Sequence, residues 1–226
     1  MKILLFGATG MVGQGVLREC LLEPVVEQVR TVGRTATGTN HPKLREIVHR
    51  DMWHYADIEA NLSGFDACFF GLGVSSAGMK EQDYERITYD LTMAAAETLC
   101  RLNPQMQFFY VSGAGTDSTE HGRSMWARVK GRTENALLRL PFAAAYMFRP
   151  GLIQPLHGVR PKAAFYRVFY VLFKPLLPLL RRAFPNHVLT TEEIGRAMLL
   201  VARHGYEKHI LETRDIRAVL QPASGR

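Results

Sequence analysis

Three glycines spaced by three, Gly7, Gly10 and Gly13, are the residues of this chain whose type and spacing speak most directly of chemistry. They follow an apolar run, Ile3-Leu4-Leu5-Phe6, and open a stretch in which Met11, Val12, Val16, Leu17, Cys20 and Leu21 recur at helical spacing. Glycine lets backbone approach a ligand closely, and a helix start presents unpaired N–H groups and the positive end of a dipole. Together they make a phosphate cradle. Glycine turns also follow strands for packing reasons alone, so the spacing gains weight only because Val29 to Gly33 supplies the second strand of a complete βαβ unit. That strand ends in Gly33-Arg34-Thr35. An acid there would bond the adenine ribose and repel a 2′-phosphate, whereas an arginine grips phosphate through paired N–H groups. The expected ligand is NADP, with NAD less favoured. The plainer alternative is that Arg34 is a solvent-exposed loop residue.

These residues need elements to hold them. Pro24 ends the first helix, Arg45 to His49 reads as a third strand delivering Asp51, and Ala67-Cys68-Phe69-Phe70 as a fourth closing on Gly71-Leu72-Gly73. Residues 80–102 carry a long helical pattern with Ile87, Leu91, Ala95 and Leu99 on one face, stopped by Asn103-Pro104. Gln107 to Ser112 gives a fifth strand, Arg123 to Arg139 a helix, and Ala143 to Arg149 a sixth strand before Pro150-Gly151. Near-continuously apolar strands alternating with helices predict an α/β fold, a doubly wound parallel sheet with helices on both faces. Ligands of such sheets lie past the carboxyl ends of the strands, here Gly7, Gly33, Asp51, Gly73, Ser112 and Pro150.

With 226 residues, 47% hydrophobic and 22% charged, the chain is long enough for a sizeable core and gives no sign of disorder or fibre. We read one domain over 1–226: a cofactor-binding core at 1–150, then a mainly helical substrate or lid region with the last sheet elements at 151–226. The apolar stretch 155–185 is broken by Arg167, Lys174 and Pro175 and is too short to span a bilayer. A lid, an amphipathic surface helix and a dimer face all remain open for it. Thr191 to Arg203 reads as an amphipathic helix capped by Thr190 or Thr191 with Glu193. Cys20, Cys68 and Cys100 sit apart in apolar segments, as buried free thiols of a reducing compartment do, and no signal segment is visible, so the expected location is cytoplasmic. The histidines form no ligand-spaced pair, and no metal is expected. The net charge of +7 is concentrated in residues 139–226, with 14 Lys/Arg against 5 Asp/Glu. Spread over several elements, these charges form a solvated face; neither the aromatic interleaving of a nucleic-acid groove nor a helix-turn-helix is present.

The motifs resemble the short-chain dehydrogenase/reductase superfamily in its extended and atypical branch, with a Rossmann-type fold. The resemblance rests on Gly7-x-x-Gly10-x-x-Gly13, Asp51, Gly71-Leu72-Gly73, Ser112, Val129-Lys130-Gly131, Phe148-Arg149-Pro150-Gly151 and Ile210-Leu211-Glu212. Within that branch the chain looks most similar to the Tat-interacting-protein type of atypical reductase and its bacterial relatives. The resemblance implies that residues 7–13, with Thr9, Met11 and Val12, hold the pyrophosphate and Arg34 the 2′-phosphate. It implies Asp51 and Met52 at the adenine, Leu72 and Gly73 along the cofactor, and Pro150, Gly151 and Leu152 at the nicotinamide. Lys130 would bond the nicotinamide ribose and Ser112 a substrate carbonyl.

One position departs from the family. Its proton-donating tyrosine lies four residues before the lysine, where this chain has Trp126. A phenol near a lysine exchanges protons with substrate; an indole N–H only donates a hydrogen bond. Ser112 or Ser124 with a water, Tyr89 or Tyr166 are the available substitutes, none compelling. The expected function is an NADP(H)-dependent oxidoreductase or epimerase-like enzyme on a carbonyl or sugar-type substrate. The alternative is a non-catalytic NADP-sensing protein acting through a protein partner. Both leave a homodimer open; membrane contact is not favoured.

Overall fold

The computed structural model describes residues 1–159 and 187–221. Most of the apolar stretch 155–185, for which a lid, an amphipathic surface helix and a dimer face are the alternatives, lies outside the described residues, and Tyr166 with it.

The chain runs β1 (Lys2–Phe6), α1 (Met11–Leu22), β2 (Gln28–Gly33), β3 (Leu44–Val48), a 3-10 segment at Ala56–Asn61 and β4 (Ala67–Phe70). Next come α2 (Glu81–Glu85), a π-helical turn (Arg86–Asp90), α3 (Leu91–Leu102), β5 (Gln107–Val111), α4 (Met125–Arg139) and β6 (Ala144–Arg149). The C-terminal part supplies β7 (Leu152–Gln154), β8 (Val188–Thr190), α5 (Thr191–His204), β9 (Ile210–Glu212) and α6 (Thr213–Val219). Seven strands form one parallel sheet in the order β3-β2-β1-β4-β5-β6-β9, while β7 and β8 pair separately. The strand order reverses direction between β1 and β4, and the glycine loop leaves β1 at that switch point. The α/β doubly wound reading is thereby met.

Alternation along the central strands sends side chains to two cores. Ile3 and Leu5 of β1 join Val16, Leu17, Ile194 and Met198 under α1 and α5; Leu4 and Phe6 join Phe70, Leu99, Phe108 and Leu137 under α3 and α4. Both faces are covered, which is why β4 is buried at every residue. On the first face α1 and α5 touch backbone to backbone, because a Cβ on Gly15 would come within 2.5 Å of Thr191. The capping box read at the start of α5 is present: Glu193 N–H donates to Thr190 Oγ1 at 3.0 Å, and Thr190 N–H to Glu193 Oε2 at 2.8 Å.

Two local features differ from the sequence pattern. The helix read over 80–102 is interrupted by the π-helical turn, where Thr88 is buried and its carbonyl accepts the Thr92 hydroxyl at 2.5 Å. Asn103, read as a helix stop, also binds the approach to β4, accepting N–H bonds from Gly64 and Phe65 and donating to the Leu62 carbonyl. The three cysteines are buried and free. Among the described residues no cluster offers a metal site, and no helix is long and apolar enough to cross a membrane.

Candidate functional site

Gly7 leaves β1 at φ +80°, a conformation that L side chains rarely adopt, and a Cβ there would stand 2.6 Å from the Gly71 carbonyl carbon. Its carbonyl accepts the Gly10 N–H at 2.8 Å, closing the turn. A Cβ on Gly13 would lie 2.1 Å from the Gly7 oxygen, so the third glycine is what lets α1 start against the turn. Gly10 caps α1 without a side chain, and the first turn of the helix contains no acid. The α1 N-terminus therefore keeps its N–H groups and positive end for an anion.

A cavity of about 350 Å³ opens beside this turn, walled by Gly7, Thr9, Gly33, Arg34, Thr35 and Leu72. The glycine loop, the end of β2 and the residue after Gly71 thus converge on one volume. Arg34 is exposed at its rim. A larger groove of about 610 Å³ shares Thr9, Thr35 and Thr37 with it and runs along α1 past Gln14 and Arg18 to His157. Asp51 and Met52 do not line either space. The Asp51 carboxylate closes its own turn, accepting from His54 Nδ1 at 2.9 Å and the Trp53 N–H at 3.0 Å, and these bonds hold its pKa below the usual value. The Met52 side chain is in the core.

Two strands across the sheet, the carboxyl ends of β5 and β6 carry the second group. Ser112 continues the pairing of these strands, its N–H donating to the Phe148 carbonyl at 2.9 Å. Lys130 reaches over from α4: Nζ donates to the Ser112 carbonyl at 2.6 Å and stands 5.9 Å from the Tyr110 ring centroid. Burial pushes the Lys130 ammonium down to about 8, against the pull of Glu134. Trp126, one turn earlier on α4, is half-buried and lies over the loop after β5, where a Cβ on Gly115 would touch its ring at 3.5 Å. Tyr110 is locked in the core with its phenol pushed well above the ordinary value by burial, and Tyr89 lies 4.6 Å beneath the Arg132 guanidinium. Pro150 is buried and its carbonyl accepts the Ala114 N–H; Gly151 donates to Thr213 Oγ1 at 2.8 Å; Leu152 opens β7.

A residue absent from the sequence reading ties this group together. Glu134 is fully buried on α4, and its carboxylate binds Ser112 Oγ at 2.5 Å and Arg149 Nε at 3.1 Å through each oxygen, with a further close contact to Arg149 Nη2. Arg149 also donates to Ser118 Oγ at 2.5 Å and Glu212 Oε1 at 3.1 Å. Burial works against its charge, but Glu134 and then Glu212 outweigh that and raise its pKa. The signal was present in the sequence as an acid four residues after Lys130, among the buried Gly131, Thr133 and Leu137 of an amphipathic helix.

No protein-family model matches the chain. Among proteins similar in sequence, the mitochondrial protein FMP52-2 of Scheffersomyces stipitis is 29% identical over 152 residues, covering 66% of this chain and 65% of that protein. The chain thus spans just under two thirds of that relative. Mitochondrial FMP52 of Meyerozyma guilliermondii is 24% identical over 211 residues, covering 89% and 85%. These names do not carry the finer likeness to the Tat-interacting-protein type. They also overturn the cytoplasmic expectation, because relatives of this chain are named as mitochondrial. Buried free thiols indicate a reducing compartment and do not say which one.

Among solved structures, the UDP-N-acetylglucosamine 4-epimerase of Methanobrevibacter ruminantium, in complex with UDP-N-acetylmuramic acid, superposes with a TM-score of 0.66 at 16% identity, over 93% of this chain and 75% of that one. WbmF of Bordetella bronchiseptica, in complex with NAD+, gives 0.64 at 14%, over 94% and 72%. A short-chain dehydrogenase/reductase family oxidoreductase of Burkholderia thailandensis gives 0.62 at 14%, over 89% and 85%. The chain has the Rossmann-like fold shared by short-chain dehydrogenases and nucleotide-sugar epimerases.

Proposed function

We propose that this protein binds NADP(H) and acts as an oxidoreductase or epimerase-like enzyme on a small molecule of the carbonyl or sugar type. The observation that carries this reading is the convergence of the glycine turn, Arg34 and Leu72 on one cavity at the switch point of the sheet. The space that a Cβ on Gly7 or Gly13 would fill is taken by backbone, as a phosphate cradle needs. Solved proteins of the same fold are complexes with NAD+ and NADH. A nicotinamide bound here supplies or accepts the hydride. In this reading residues 7–13 hold the pyrophosphate and Arg34, beside Thr35, the 2′-phosphate. Leu72 and Gly73 border the cofactor, and Pro150, Gly151 and Leu152 the nicotinamide. Lys130 binds the nicotinamide ribose, and Ser112 the reacting oxygen of the substrate.

Trp126 favours a second reading, an NADP-responsive binding protein that signals through a partner, because no phenol stands where the fold's reductases keep their proton donor. Parallel titrations with NADPH and NADH, followed by tryptophan emission and calorimetry, test the common part. NADPH-selective binding supports the cofactor site, and failure to bind either nucleotide overturns it. Oxidation of bound NADPH by a panel of carbonyl compounds separates the enzyme from the sensor.

A further inference from the structure

A serine hydroxyl has one hydrogen to give and two lone pairs to offer. Ser112 Oγ stands 2.5 Å from Glu134 Oε1 and 3.3 Å from the Phe148 carbonyl oxygen, and both partners are acceptors. The single hydrogen is thus directed into the protein. No N–H or O–H of the described residues donates to the Ser112 oxygen, so its lone pairs are what it has left to offer.

Two forces keep the hydroxyl in that sense. A hydrogen bond to an ionised carboxylate is about twice as strong as one between neutral groups. Glu134 is completely buried, so a turned-away Ser112 would leave a carboxylate lone pair without a partner and out of reach of water. Arg149, clamped on the same carboxylate from β6 and backed by Glu212 of β9, holds that carboxylate in place against Ser112. Lys130, on the same helix, spends one hydrogen on the Ser112 carbonyl rather than on the hydroxyl.

The geometry points to Glu134 as a positioning residue that reverses the polarity of Ser112: the hydroxyl meets its ligand as a hydrogen-bond acceptor, and the site takes a group that carries a donor, an alcohol rather than a bare carbonyl. This rests on the proposed function for the identity of the ligand, though not for the state of the hydroxyl. It narrows the substrate class to compounds that enter as hydroxyl compounds.

The experiment has two arms. In the first, proton NMR of the free protein looks for a downfield, slowly exchanging hydroxyl resonance that vanishes in Ser112→Ala and in Glu134→Gln. Its presence is the expected result. A Ser112 hydroxyl that exchanges with water as fast as exposed serines overturns the proposal, whatever the cofactor does, and the wild type with Ser112→Ala decides this even if Glu134→Gln fails to fold. In the second arm, saturation-transfer NMR compares cyclohexanol with cyclohexanone on protein loaded with NADP+. The wild type should favour the alcohol by about three- to tenfold, as one hydrogen bond allows. Glu134→Gln, whose amide can donate to Ser112 and free its hydrogen, should lose or invert that preference. Preference for the ketone in the wild type overturns the proposal. Failure to load NADP+ overturns the proposed function, and the first arm still decides the polarity of Ser112.

Discussion

At the glycine loop the backbone forms the site, and side chains matter mostly by their absence: Gly7 and Gly13 are needed because a single added carbon would strike Gly71 or the Gly7 oxygen. At the ends of β5 and β6 the site is built from side chains drawn from four elements, with Ser112 after β5, Lys130 and Glu134 on α4, Arg149 on β6 and Glu212 on β9. The first region presents the N–H groups at the start of α1, with no side-chain cap and no acid in the helix's first turn. The second buries a carboxylate and a guanidinium and holds them by mutual pairing, a costly arrangement unless every bond is made. The difference teaches where each region is vulnerable: the first to added volume, the second to any lost partner.

The comparison breaks most visibly at Arg149. Arg149→Ala leaves Glu134 buried and unpaired and should cost about 3–5 kcal/mol in urea unfolding, whereas the double change Glu134→Leu with Arg149→Met should return stability to near the wild-type level. An equal loss in both variants would mean that shape, not charge, holds this region together. The next effect concerns Lys130, whose folded pKa is lowered to about 8 by burial. Between about pH 8 and the unfolded value near 10.5 the unfolded chain binds more protons, so wild-type stability gains from this group as pH rises through that window. Lys130→Met should accordingly look better relative to wild type at pH 7 than above pH 10.5, by on the order of 2–3 kcal/mol; a pH-independent difference would show the ammonium to be well solvated.

Three smaller effects sharpen the glycine-loop side. Arg34→Ala should weaken NADPH binding by roughly 1.5–3 kcal/mol in calorimetry and leave NADH nearly unchanged; equal losses would remove Arg34 from the 2′-phosphate. Gly13→Ala gains helix propensity but places a Cβ 2.1 Å from the Gly7 oxygen. It should cost roughly 1–3 kcal/mol in thermal unfolding and lower nucleotide affinity with it. Thr190→Ala, which removes the side-chain cap of α5, should cost about 1 kcal/mol and leave nucleotide affinity unaltered.

Legibility followed the same division. The six strands from Ile3 to Arg149 were readable because each is a short apolar run ended by glycine, proline or a polar residue, a pattern that depends only on neighbours in sequence. The short β7 and β8 were not, since three residues such as Leu152–Gln154 become a strand only when residues 188–190 come alongside. The cavity beside the glycine turn is walled by Gly7, Thr9, Arg34 and Leu72, residues the sequence pattern singles out, while the Asp51 carboxylate closes its own turn and the Met52 side chain lies in the core. Glu134 escaped notice because an acid on a helix is usually solvated, and its burial is decided by Arg149, which lies 15 residues away.

The amino-acid sequence by itself determined the parallel sheet, the glycine turn after β1 and the absence of a phenol at Trp126, because these depend on residue type and local spacing. The tertiary structure alone decided which charges are buried and which way the Ser112 hydroxyl points. Desolvation and hydrogen-bond direction are set by distances across the fold, such as the 2.5 Å from Ser112 to Glu134, and no local pattern encodes them.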